Sequence, residues 1–252
     1  MENPFENQIT NHLSGVYKLG IHSGKGGVGK TFLSVNLAYS LAAKGFKIGL
    51  LDADIDCPNV SKFLALNSLA RTDAKKIYPV LHNNVKLVSS ALLNPSGSEN
   101  PLIIRGPIKH NMLLSFLSSV EWGQLDYLVM DLPPGTADVP LSAMQLSAID
   151  GLILISAPTK ESLLDTARAC NMAKKLQVKI LGLVENMSGE IFGSSGEKAA
   201  KHLEIPYLGS IPLSRETAKI NEAGEIAFLE NPTLENLRSN LVDTILKASN
   251  SQ

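Results

Sequence analysis

The stretch GKGGVGKT, residues 24–31, constrains this chain more than any other, because it meets the pattern G-x-x-x-x-G-K-[ST] in the setting that gives the pattern a structural meaning. An apolar run, VYKLGIHS (16–23), precedes it, and a stretch with helical spacing (30–44) follows. Strand, glycine loop and helix in that order build a nest of backbone N–H groups at a helix N-terminus, which holds phosphate oxygens. The binding residues expected are Gly24, Lys25, Gly26, Gly27, Val28, Gly29, Lys30, Thr31 and the adjoining Phe32. Lys30 then reaches the β- and γ-phosphates of a nucleotide, and the Thr31 hydroxyl ligates Mg²⁺.

Short Val-, Ile- and Leu-rich runs continue to alternate with helix-spaced stretches along the chain. KIGLLDAD (47–54), DYLVMDL (126–132), GLILISA (151–157) and KILGLVEN (179–186) read as strands, and VKLVSS (85–90) as a weaker one. Residues 107–120, 139–148, 161–176 and 195–204 read as helices, several with Pro, Ser or Thr near their start. This alternation predicts a doubly wound, mostly parallel α/β sheet. A hydrophobic content of 44% over 252 residues supplies a substantial core, but length alone does not separate one domain from two. No linker divides the chain, so residues 1–252 read as one domain, with 1–14 as a flexible amino-terminal segment and LLNPSGSENP (92–101) as a loop.

Composition removes several classes of function. Lysine and arginine total 23 against 24 acids, a net charge of −1, so no overall field draws nucleic acid or anionic lipid. The two cysteines, Cys57 and Cys170, are too few for a disulfide framework and read as packing residues. No apolar run reaches the roughly 18 residues of a membrane span, and the polar amino terminus carries no targeting pattern. A cytoplasmic protein without nucleic-acid or membrane partners is expected. Near the carboxyl end, Leu234, Leu237, Leu241 and Ile245 share one helical face. The opposite face offers only Arg238 and Lys247 against Glu235 and Asp243, which suits a helix covering the sheet better than a membrane-targeting one.

Further acids stand where a phosphate site needs them. Asp52, Asp54 and Asp56 follow the second predicted strand and Asp131 ends another, so both sets reach the carboxyl edge of the sheet. An acid there holds a water on Mg²⁺ or orients the water that attacks the γ-phosphate. Capping or solvated loop aspartates are the alternative, above all for Asp56. Gly135, in PPGTAD (133–138), supplies a flexible backbone able to respond to the γ-phosphate. Lys25 lies on the outer arc of the glycine loop, badly placed to duplicate Lys30 within one subunit. Either it is solvated, or it reaches a nucleotide held by a second copy, as an arginine finger does for about 10³ to 10⁵ in rate.

The loop resembles the deviant Walker A loop of the MinD/ParA/nitrogenase-iron-protein group. Within that group the chain is similar to the Mrp/ApbC branch (the Mrp/NBP35 family) of iron–sulfur cluster carrier ATPases. LLDADIDCPNVSKFL, the run from Arg105 to Gln145, GLVENMSG and YLGSIPL carry the resemblance, which spans about residues 16–230. It implies an ATP-dependent homodimer that hydrolyses ATP slowly without a partner. Lys25 would be the cross-dimer lysine, Lys30 the phosphate lysine and Asp54 the residue that positions the hydrolytic water. Thr31 would bind Mg²⁺ with Asp52 and Asp131 in the outer shell, and Asn186 and Pro212 would frame the adenine. Iron–sulfur scaffold or recipient proteins are the further partners implied.

The chain also departs from that branch. Where relatives continue after ENMSG with a C-x-x-C pair, it reads ENMSGEIFGSSGEKAAKHL. Two thiols from each of two subunits would hold one cluster, so their loss counts against an iron–sulfur cluster bound by that route and leaves ATP and Mg²⁺ as the cofactors expected. Two other readings remain: a MinD/ParA-like positioning or partitioning ATPase, and a regulatory nucleotide-binding module of low turnover.

Overall fold

The computed structural model describes residues 13–73, 75–93 and 106–251. The expected segment 1–14 therefore lies outside the described residues except for its last two, and the expected loop 92–101 except for its first two. Strand β1 (Tyr17–His22) leads into helix α1 (Lys30–Ala43), β2 (Ile48–Asp52) and the short α2 (Val60–Phe63). Strands β3 (Arg71–Thr72), β4 (Ile77–Tyr78), β5 (Val80–His82) and β6 (Val85–Ser89) follow, then α3 (Gly106–Ser118) and β7 (Tyr127–Asp131). Next come α4 (Asp138–Ser147), β8 (Gly151–Ser156), α5 (Lys160–Lys175), β9 (Ile180–Ser188), α6 (Gly196–His202) and β10 (Tyr207–Pro212). Helices α7 (Arg215–Glu222), α8 (Ala227–Glu230) and α9 (Glu235–Ser249) complete the described chain.

Eight strands form one sheet in the order β10-β9-β8-β1-β7-β2-β6-β5. All pairs are parallel except β5 with β6, an antiparallel hairpin closed by Asn83 and Asn84, both at positive φ. The doubly wound, mostly parallel α/β architecture is thus the one the sequence predicts. The central strands are apolar on both faces because helices cover both. Alternate residues divide between two cores: Leu19, Ile21, Leu50, Val129 and Ile153 pack with α1, α8 and α9, whereas Leu51, Leu128, Met130, Leu152 and Leu154 pack with α3, α4 and α5. From β1 the chain runs outward to β2 and β6, returns to β7 beside β1, and then winds the other way through β8, β9 and β10. The carboxyl end of β1 is therefore a topological switch point, where a crevice for a ligand opens.

The face bearing Leu234, Leu237, Leu241 and Ile245 is buried against this architecture, as a covering helix requires. Cys170 is buried in α5, but Cys57 is exposed, contrary to its expected packing role. Its backbone N–H is held by Asp54 Oδ1 in the turn after β2, and that turn leaves the side chain outside the core.

Candidate functional site

A cavity of about 890 Å³ opens at the switch point, between the glycine loop, the segment after β2 and the segment after β7. Two glycines in the loop are dictated by their surroundings. Gly29 has φ +94°, and a Cβ there would stand 2.1 Å from the Asn186 amide nitrogen. A Cβ on Gly24 would meet the main chain of Asp165 in α5 at 2.1 Å. The loop is thus pressed against two neighbours while its other side faces the cavity.

At the start of α1, Lys30 and Thr31 converge on Asp131, the last residue of β7. Lys30 Nζ lies 2.9 Å from Asp131 Oδ1, and Thr31 Oγ1 donates to Oδ2 at 2.6 Å. Asp54 Oδ2 lies 3.6 Å from the same ammonium. Burial opposes the charge on Lys30, but Asp131, Asp54 and Asp52 outweigh it and hold its pKa above the ordinary lysine value. Asp54 is raised, chiefly by burial. Asp52 is raised well beyond the usual carboxylate range by burial and then by the charge of Asp131, its register partner across β2 and β7. Asp52 is also the anchor of the following turn, accepting from Asp54 N, Val60 N and Ser89 Oγ.

Of the residues expected from sequence, Gly26, Gly27, Gly29, Lys30, Thr31, Phe32 and Asp54 line the cavity. Asp52 and Asp131 stand fully buried behind it. Gly24 and Val28 form the back of the loop, and Gly135, at φ +94°, ties its N–H to Ser23 O at 2.9 Å. Lys25 is half-buried, and among the described residues its ammonium makes no hydrogen bond or ion pair. Asn186 and Pro212 lie at the ends of β9 and β10 and do not line the cavity. The Asn186 amide donates to Val28 O and its oxygen accepts from Met187 N, so both ends serve the loop and its own strand. Asp56 does line the cavity, but its carboxylate is paired with Lys109.

Sequence reasoning missed several features of the site. Cys57, Phe63 and Met187 line the cavity, and Ser34 donates to Asp131 Oδ1 at 2.9 Å. Ser34 had a legible signal, since it follows Lys30 by four residues and so shares its helix face. Cys57 lies in the turn after β2, Phe63 ends α2 and Met187 stands near the end of β9 at φ +61°, so their approach to the cavity depends on how these elements assemble.

The segment that replaces C-x-x-C is a closed hairpin. Gly189 and Gly193 exchange both main-chain hydrogen bonds, at 3.0 and 2.7 Å, leaving Ile191 and Phe192 exposed at the tip. Just beyond, the buried Glu185 carboxylate accepts from Ser194 Oγ, Ser195 N and Gly196 N at 2.6, 2.7 and 2.6 Å.

The donor set suits Mg²⁺ bound together with a nucleotide. A hydroxyl sits at 2.6 Å from a buried carboxylate beside the glycine loop, and Mg²⁺ takes few protein ligands and keeps waters and phosphate oxygens. Among the described residues no group of three or more His, Cys, Asp or Glu is placed to hold a metal by itself.

Sheet order, glycine loop and the Lys30–Asp131 contact define a P-loop NTPase of the MinD/ParA type. The family model described as a ParA-group NUBPL iron-transfer P-loop NTPase matches residues 16–248, and the chain belongs to that family. It is 41% identical over 247 residues to an iron–sulfur cluster carrier protein of Saccharolobus solfataricus, covering 92% of this chain and 83% of the relative. A carrier protein of Methanocaldococcus jannaschii is 42% identical over 222 residues, covering 82% of this chain and 76% of the relative. Among solved structures, a nucleotide-binding protein of Archaeoglobus fulgidus in complex with ADP superposes with TM-score 0.75 at 28% identity, over 88% of this chain and 92% of that one. The cell division ATPase MinD of Pyrococcus furiosus gives 0.73 at 25% identity, over 92% and 98%.

Proposed function

We propose that this protein is an Mg²⁺-dependent ATPase whose homodimer switches shape between nucleotide states and serves iron–sulfur cluster transfer or assembly. The observation that carries the reading is the convergence of Lys30 and Thr31 on one buried carboxylate, Asp131, at the mouth of the glycine loop. The loop N–H groups and Lys30 take the phosphates. Thr31 would hold Mg²⁺, with Asp131 and Asp52 behind it, and the ion would supply charge neutralisation at the phosphate oxygens. Lys30 turning toward phosphate loosens its pairing with Asp54, whose carboxylate then orients the attacking water. Lys25, unpaired within the described residues, crosses to the triphosphate of a second copy. Gly135 exchanges its bond to Ser23 O for the γ-phosphate, and Asn186 and Pro212 frame the adenine from the ends of β9 and β10.

The cluster is cargo in this scheme. The named function of the relatives supports it, while the hairpin at 189–193 offers none of the thiols of a C-x-x-C pair. We therefore assign the cluster's thiolate ligands to a partner protein. The positioning-ATPase alternative draws on the likeness to MinD, but the apolar face of α9 is buried, which removes the obvious membrane contact.

Anaerobic incubation with iron and sulfide, alone and with a cysteine-bearing scaffold protein, tests the reading alongside phosphate release from ATP. Cluster absorbance attributable to a complex of the two proteins, together with ATP turnover, is the expected result. No cluster in either arm would leave only the ATPase, and no phosphate release would remove that too.

A further inference from the structure

Asp131 is fully buried, and the donors to its two oxygens are not equivalent. Oδ2 receives Thr31 Oγ1, whereas Oδ1 is shared by Lys30 Nζ and Ser34 Oγ, each at 2.9 Å. Ser34 is itself fully buried one turn beyond Lys30 and does not line the cavity. Its hydroxyl carries one proton and has two acceptors in reach, Asp131 Oδ1 and the main-chain oxygen of Lys30 at 3.0 Å. We propose that Ser34 is a positioning residue: it is the donor that keeps Asp131 Oδ1 satisfied when Lys30 turns to the nucleotide phosphates, and so keeps Oδ2 aimed at Thr31.

The inference rests on the nucleotide chemistry proposed above and deepens it. A carboxylate with no exposure cannot recruit bulk water when a donor leaves, and an unsatisfied buried charge is costly. Without Ser34, Asp131 would either rotate away from Thr31 or draw the ammonium back from the phosphates. The charged oxygen is the stronger acceptor, so the shared proton commits to it once Lys30 has gone. Asp52 has no such need, because its donors, Ser89 Oγ, Val60 N and Asp54 N, are all independent of Lys30. Asp131 alone of these two acids shares a donor with the incoming ligand.

Ser40 provides the control. It is buried on the same helix, and its hydroxyl donates to Asn36 O at 2.6 Å. ATP binding by calorimetry, with graded Mg²⁺ and again in chelator, is compared for the wild type, Ser34→Ala, Ser34→Thr and Ser40→Ala. In Ser34→Ala the Mg²⁺ concentration for half-maximal enhancement of ATP binding should rise roughly tenfold, the usual effect of removing a partner that orients a metal site. Binding in chelator should stay close to wild type, Ser34→Thr should restore much of the Mg²⁺ response, and Ser40→Ala should leave it unchanged. Should Ser34→Ala fail to fold, Ser34→Cys keeps the volume, weakens the donor and carries the same expectation. An unchanged Mg²⁺ requirement, or an equal loss with and without Mg²⁺, would overturn the role of Ser34 alone. A wild type that binds no Mg²⁺-ATP would overturn the nucleotide reading, and this inference with it.

Discussion

Asp54 and Lys30 face each other across the floor of the cavity, Oδ2 to Nζ at 3.6 Å. On the proposed nucleotide chemistry the carboxylate competes with phosphate for the ammonium, and the two roles assigned to Asp54 separate in one variant. Asp54→Asn should bind ATP about threefold more tightly, the worth of a modest ion pair. Phosphate release should fall by about 10² to 10⁴, the range for loss of a positioned acid or base. Calorimetry and a phosphate assay on the same preparation check the pair of outcomes, and weaker binding would contradict the competition.

Lys25 is the counterpart that, on the proposed reading, acts between copies. Lys25→Ala should bind ATP as a monomer much like wild type, yet lose ATP-driven dimerisation and at least about 10³ in turnover. Light scattering with and without ATP reads the first loss directly. Normal scattering and normal turnover together would show that this side chain serves one chain only.

His22 gives a pH signature. It ends β1 fully buried, and its pKa is lowered to about 4 by burial and then by the charge of Lys30, against a partial pull from the Pro133 and Gly135 backbone. The unfolded chain protonates this ring near 6.5 and the folded chain only near 4. The unfolded state therefore binds more protons between those values, and stability should fall as pH drops from 6.5 toward 4, by roughly 3 kcal/mol at most. The raised carboxyls of Asp52 and Asp54 work in the opposite sense, since their contribution to stability is lost as pH rises. Comparing wild type with His22→Leu isolates the histidine. Urea unfolding at several pH values should give the variant a shallower acid limb, and parallel limbs would contradict the assignment.

The regular parts of the fold were legible because they repeat a simple rule. Five apolar runs gave β1, β2, β7, β8 and β9, and the motif flanked by the first of them located the cavity. Strand β10 was not read as a strand: its glycine and proline weaken the pattern, and pairing with β9 supplies what local preference does not. The β5–β6 hairpin had a signal in the Asn83–Asn84 pair, since asparagine tolerates the positive φ of a tight two-residue turn. Within the site, charge and motif spacing pointed to Lys30, Thr31, Asp54 and Asp131, which the structure brings together. The cavity faces of Cys57, Phe63 and Met187 were illegible: Cys57 depends on a turn held by its N–H to Asp54 Oδ1, Phe63 on where the one-turn helix α2 settles, and Met187 on a positive φ near the end of β9.

The bonds from Glu185 to residues 194–196, with the mutual pairing of Gly189 and Gly193, stitch both ends of the substituted segment using protein atoms alone. Its shape is therefore indifferent to iron supply and to oxidants that attack exposed sulfur ligands. The surface it presents is accordingly set by the polypeptide alone, with no bound ion required to give it form.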